Sequence, residues 1–223
     1  MVEPKDTGSD DEAGDESFID KPVVLDKYKA SADVTNAALK YALTLCVPGA
    51  DIHTVCMTVD KFIDEELKKV FSSKKSKKLE RGIAFPCCIS VNSQLGCFSP
   101  LKDETAALKE NDVAKIALGS HLDGFVTQAG HTIVVNADPK KKVEDSKVSN
   151  AIVAAYKASL AAQRTIKEQG TNQSVTEIIK KVAESFGCQP VEAVLSHKQK
   201  KWLIDGNDVI INRDMPEQKV EKF

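Results

Sequence analysis

The chain has 223 residues, 42% of them apolar and 29% charged, with a formal net charge of −2. That composition sits near the globular average and excludes a chain disordered throughout, while the length suits one large α/β domain or two small ones. No run of 18 uncharged apolar residues exists, so no segment is expected to span a membrane.

The first 20 residues are unlike the rest. They hold eight acidic groups and one base, Lys5, which leaves the remainder with about +5 on the same formal count. Such a stretch is too polar to bury and is expected to be a disordered acidic tail over 1–20. It lacks the basic and then apolar order of a secretory signal. The six cysteines therefore read as reduced thiols in a protein of the nucleus and cytoplasm. An acidic tail on a basic body competes with nucleic acid for a basic patch or simply solvates the chain, the second being the commoner behaviour. Ser9, followed by Asp10, Asp11 and Glu12, is a candidate phosphosite for an acidophilic kinase.

Beyond the tail, Val34, Ala38, Leu39, Ala42, Leu43 and Cys46 recur at helical spacing, which predicts a helix over 27–46 stopped by Pro48-Gly49. A second helix starts after Asp51, an N-cap residue type, with Ile52, Val55, Val59, Phe62, Ile63, Leu67 and Val70 on one face. Residues 82–92 read as a strand, and Pro86 within it predicts an edge position or a bulge. Residues 113–118 form another strand. The 121–135 stretch is two strands or one bent one, with Asp123-Gly124 as the turn. The alanine-rich segment 146–167 is helical. Ser174 and Glu177 have the spacing of a capping box before a helix ended by Gly187. Residues 190–223 alternate short apolar runs with polar turns and read as strands. Helices, strands, helices and strands in grouped order argue for an α+β fold.

Chemistry-bearing residues are scattered. None of the cysteines forms a C-x-x-C pair, so a structural zinc site is not expected and all six read as buried thiols. His53, His121, His131 and His197 are far apart in sequence and could bind metal only with carboxylates brought near by the fold. The most concentrated feature is basic: Lys68, Lys69, Lys74, Lys75, Lys77, Lys78 and Arg81 stand against one acid, Glu80. This run is a candidate contact for a nucleic-acid phosphate backbone, or a nuclear-import signal, or a solvated loop. Phe71 is the single aromatic residue among these lysines, too little to support base stacking. Lys140, Lys141 and Lys142 could extend the patch.

The phrases RGIAFPCCISVN, FSPLKDE, NDVAKIALGSHLDGFVTQAGHTIVV and EAVLSHKQKKWLIDG are long, specific and collinear. Over about residues 20–223 the chain resembles the proliferation-associated, growth-factor-receptor-binding relatives of type 2 methionine aminopeptidases. The resemblance implies the pita-bread (creatinase/methionine aminopeptidase-like) α+β fold, with an aminopeptidase-like domain over 21–223 whose second half is incomplete. Active enzymes of this fold hold two divalent metals with two aspartates, one histidine and two glutamates, and the pair activates a water for peptide hydrolysis. By motif, the two aspartate positions fall at Ala117 and Gln128, the histidine ligand at His197, and the substrate-side histidine at Cys97. Both glutamate positions fall after Phe223. The resemblance thus implies a non-catalytic platform without cofactor that associates with ribosomes, structured RNA and regulatory proteins. It also implies an influence on growth, translation or transcription, and shuttling between nucleolus and cytoplasm. The alternatives are a metal-dependent aminopeptidase with substitute ligands such as His121, His131 and His197, and a truncated form that competes for partners.

Overall fold

The computed structural model describes residues 19–72, 79–104, 106–138, 140–143, 145–215 and 219–223. The chain opens with helix α1 (Pro22–Leu45), five residues earlier than the apolar spacing suggests, because Pro22 supplies a ready-made first turn. Helix α2 (Ile52–Lys69) begins where Asp51 accepts the Thr54 N–H at 2.8 Å, and its buried stripe is Ile52, Val55, Cys56, Val59, Ile63 and Leu67. Five of these are positions the three-and-four spacing selects; Cys56 is added, while Phe62 and Val70 are half-buried and Val70 lies just past the helix.

The two helices pack on a three-stranded antiparallel sheet, β1 (Arg81–Val91), β2 (Val113–Leu122) and β3 (Phe125–Val134), in that spatial order. Strand β1 lies at an edge, and its register against β2 shifts on both sides of Phe85, next to Pro86. Where the ladder is broken, the Cys87 N–H is satisfied by the Asp60 carboxylate of α2 at 2.8 Å. The strand expected over 113–118 runs on to Leu122, so the 121–135 segment holds its end, the turn and a second strand, β3. Asp123 and Gly124 both take positive φ (55° and 79°), the twist a tight hairpin needs. One apolar core joins α1, α2 and the sheet, with Ala38, Val59, Ile63, Ile89, Ala114, Leu118 and Leu122 fully excluded from solvent.

The second unit is smaller. Helix α3 (Ser146–Thr165) is capped by Asp145 and packs against α4 (Asn172–Ser185). The expected capping box at Ser174 and Glu177 is not the cap. Thr171 is the N-cap, accepting the Ser174 N–H at 3.2 Å, while the Ser174 hydroxyl donates to the Thr171 carbonyl. The helix therefore starts three residues earlier than Ser174 suggests, and Asn172 is buried inside its first turn. Gly187 ends it at φ 68°. The strands expected through 190–223 shrink to β4 (Leu195–His197) and β5 (Val209–Ile211), paired antiparallel. The last residues instead bond to the α3–α4 turn, with Phe223 N–H donating to the Gly170 carbonyl at 2.9 Å. Among the described residues no helix is long and apolar enough to cross a membrane.

Candidate functional site

The hairpin β2–β3 brings Ala117 and Gln128 together. Ala117 faces Gly130 and Gly119 faces Gln128, so the two are diagonal neighbours across the ladder. Both line a cavity of about 280 Å³ with Phe85, Leu118, Ala129 and Gly130. Gln128 also borders a hollow of about 360 Å³ between α1 and β3, walled by Tyr28, Thr35, Asn36, Thr127 and Gln199. The Gln199 amide donates to Gln128 Oε1 at 3.4 Å across its rim. No charged side chain lines either space.

The other two positions singled out by motif do not join them. His197 is exposed at the end of β4, its Nδ1 3.1 Å from the Gly206 carbonyl within its own loop, and it lines neither cavity. Cys97 is exposed in a left-handed turn (φ 54°), which corrects the expectation that all six thiols are buried. Cys46, Cys56, Cys87 and Cys88 are buried and Cys188 is half-buried. Burial pushes the Cys46 and Cys88 thiols up to about 11. Cys87 is raised further, chiefly because its thiol donates to Cys56, and that bond lowers Cys56.

These residues do not fit a dinuclear metal centre. Alanine has no donor atom, and a neutral amide supplies none of the anionic charge that bridges two cations. Among the described residues no group of three or more His, Cys, Asp or Glu side chains is placed to hold an ion. The histidines are separately engaged: His53 Nδ1 lies 2.8 Å from the Pro100 carbonyl, and His121 packs on Trp202 with ring centroids 5.3 Å apart.

One feature was not anticipated. Ser31 and Thr35, one turn apart on the inner face of α1, meet Ser120 of β2 and Thr127 of β3 in a closed ring of four hydroxyls. The contacts are Ser31–Ser120 2.9 Å, Ser120–Thr35 2.8 Å, Thr35–Thr127 2.9 Å and Thr127–Ser31 2.8 Å. Its signal in the sequence is two hydroxyls at i, i+4 on an otherwise apolar stripe.

The basic run divides. Lys68 is exposed at the end of α2, and Lys69 is paired with Glu66. The Arg81 guanidinium turns inward to the Leu67 and Val70 carbonyls at 3.1 and 2.7 Å, closing the C-terminus of α2. Lys74, Lys75, Lys77, Lys78 and Ser9 lie outside the described residues.

Comparison with known proteins agrees with this architecture. The model of metallopeptidase family M24 matches residues 26–207. The chain is 41% identical over 205 residues to proliferation-associated protein A of Dictyostelium discoideum, covering 92% of this chain and 52% of that protein. It is 40% identical to ERBB-3 binding protein 1 of Arabidopsis thaliana (96% and 54% covered) and 39% identical to the curved DNA-binding protein of Schizosaccharomyces pombe (94% and 55%). The chain thus spans about half the length of the curated relatives it matches. Among solved structures, a thermophilic Arx1 superposes with a TM-score of 0.80 at 25% identity, covering 90% of this chain and 59% of that one. Methionine aminopeptidase of Thermotoga maritima superposes at 0.70 and 20% identity (91% and 76%), a likeness of fold. The α+β architecture is the pita-bread fold, and the chain belongs to metallopeptidase family M24.

Proposed function

We propose that this chain is a non-catalytic member of its family, a platform that binds ribosomes or structured RNA together with regulatory proteins in cytoplasm, nucleus and nucleolus. The observation that carries the reading is the pair Ala117 and Gln128, adjacent on one hairpin and bordering one cavity, with no anionic donor between them. A hollow so lined can accept neutral groups but cannot concentrate divalent cations. The nucleic-acid part rests on the lysines at 68–78, which are too sparse in aromatic neighbours for base readout and suit phosphate contacts. Names among the relatives point to both kinds of partner, one binding DNA and one binding another protein.

The test is cosedimentation with large ribosomal subunits over a range of salt. Binding should weaken steeply as salt rises, and replacing Lys74, Lys75, Lys77 and Lys78 with glutamate should abolish it. Unchanged cosedimentation of that variant refutes the assignment of the patch. Calorimetric binding of Mn²⁺ or Co²⁺ to the unaltered chain would refute the non-catalytic reading.

A further inference from the structure

The 198–206 segment, which follows His197, is tied to itself and meets the β2–β3 hairpin through Gln199, Lys201 and Trp202. Lys200 and Leu203 exchange backbone hydrogen bonds at 3.0 Å, and Gly206 donates to Lys198 at 3.1 Å. Its attachment to the β2–β3 turn centres on Trp202. The Trp202 N–H donates to the Gly124 carbonyl at 2.9 Å. Its indole lies so close over Gly124 that an added Cβ would meet the ring at 2.5 Å. The other face of the contact is His121, edge-to-face with the indole at an interplanar angle of 61°. Trp202 remains 55% exposed, so its fluorescence can register a change at the contact.

We propose that the His121–Trp202 contact is an acid-released latch that holds the 198–206 segment on the β2–β3 turn. His121 Nδ1 accepts the Gly124 N–H at 3.4 Å, which puts the neutral ring's proton on Nε2. Gly82 of the neighbouring strand leaves the space beside Nε2, where a Cβ would sit at 3.2 Å. Protonation places a second donor at Nδ1, pointing at the Gly124 N–H, and puts a charge on a half-buried ring. The contact that Gly124 makes with both His121 and Trp202 then loses one of its two supports.

The charged groups around the ring are few. Glu80, before β1, and Asp123, in the turn, both favour the imidazolium. Asp123 is also paired with Lys27 of α1 and with Lys201, the latter at 3.8 Å. Both lysines also sit over the Phe125 ring, at 5.3 and 5.5 Å from its centroid. Burial outweighs the carboxylates and holds His121 below its ordinary value. The docked state therefore binds fewer protons than the released one. Docking is fully supported above about pH 6.5 and is lost as pH falls through the lower value of the docked ring. Release also draws Gln199 from Gln128 and opens the rim of the hollow between α1 and β3.

Trp202 is the single tryptophan of the chain, so its fluorescence reports the latch directly. Acrylamide quenching of the 223-residue chain should rise in one step with a midpoint below about 6.5, with far-UV circular dichroism unchanged. His121→Phe, which removes the titrating ring, should show quenching that does not change with pH and no step. Gly124→Ala, which drives a methyl into the indole, should show high quenching throughout. A flat profile in the unaltered chain, a step that survives in His121→Phe, or a step that coincides with loss of secondary structure would each overturn the latch.

Discussion

The Ser31 and Ser120 hydroxyls lie 2.9 Å apart although 89 residues separate them in the chain, and both side chains are fully excluded from solvent. A buried hydroxyl must find a partner or cost the fold its desolvation. Here the partners are other hydroxyls, each able to donate once and accept once around the ring. The arrangement fixes α1 in one rotation and one height over β2 and β3, a constraint that apolar packing alone does not impose.

Removing one member should therefore cost more than its own bond. Ser120→Ala takes away the contacts to both Ser31 and Thr35 and leaves those two hydroxyls to re-pair in a dry space. Urea unfolding should show a loss of about 1–3 kcal/mol. A variant replacing all four members with apolar residues of similar size should lose less than the four single changes added together. Strict additivity would mean that the ring does not act as a unit.

Most of this fold was legible in the sequence because apolar spacing dictates which faces must be buried. The α2 stripe, the Asp51 cap and the Asp123-Gly124 turn all follow from local chemistry. The misplaced features share a cause. Ser174 has the side chain of a cap, but Thr171 precedes it with an equally good one, and the bond of the Asn172 side chain to the Glu221 N–H at 3.0 Å decides in favour of the earlier start. Residues 190–223 have the alternation of strands, but pairing is a long-range event, and among the described residues of that stretch six pair in a strand ladder, Leu195–His197 with Val209–Ile211. At the candidate site, the family resemblance points to Ala117 and Gln128, which one hairpin joins. His197 ends β4 and Cys97 sits in a turn far from it in the chain, and their exposure was invisible to spacing.

Thiol reactivity should single out Cys97. It is the exposed cysteine, held in a left-handed turn, whereas four others are buried and three of those have raised pKa values. Cys56, whose thiolate is favoured by the Cys87 thiol, is only 2% exposed and out of a reagent's reach. A maleimide added to the native chain should label Cys97 first and Cys188 more slowly, with the remaining four appearing only on unfolding. Mass spectrometry of Cys97→Ser should show the fast phase gone. Fast labelling of Cys56 or Cys88 would contradict the packing of β1 against α2.

The start of α2 should carry a pH signature. The Thr54 hydroxyl and backbone N–H both donate to Asp51, at 2.6 and 2.8 Å, and hold its carboxyl below the usual carboxylate range. A depressed carboxyl contributes stability that is complete above its ordinary value of about 3.9 and is lost as pH falls through the lower folded value. Asp51→Asn keeps an N-cap acceptor and should flatten that part of the melting-temperature profile. Asp51→Ala removes the cap and should lower the melting temperature at neutral pH as well. An Asn variant with the same acid limb as the unaltered chain would assign the limb to another carboxylate.

The sharpest test of the site is to put back what the hairpin lacks. Ala117 and Gln128 are diagonal neighbours on one face, so Ala117→Asp with Gln128→Asp sets two carboxylates at the mouth of one cavity. Two like charges so close repel, and the double variant should melt lower than the unaltered chain in the absence of cations. Adding Mn²⁺ should raise its melting temperature by binding the folded state alone. The unaltered chain should show no such shift, and each single variant should show a smaller one than the double. The rise should be modest, because His197 faces Gly206 and two carboxylates make a thin donor set. A double variant indifferent to Mn²⁺ would mean that Ala117 and Gln128 do not occupy a former ligand pair. An unaltered chain stabilised as strongly as the double variant would mean that other side chains already hold the metal.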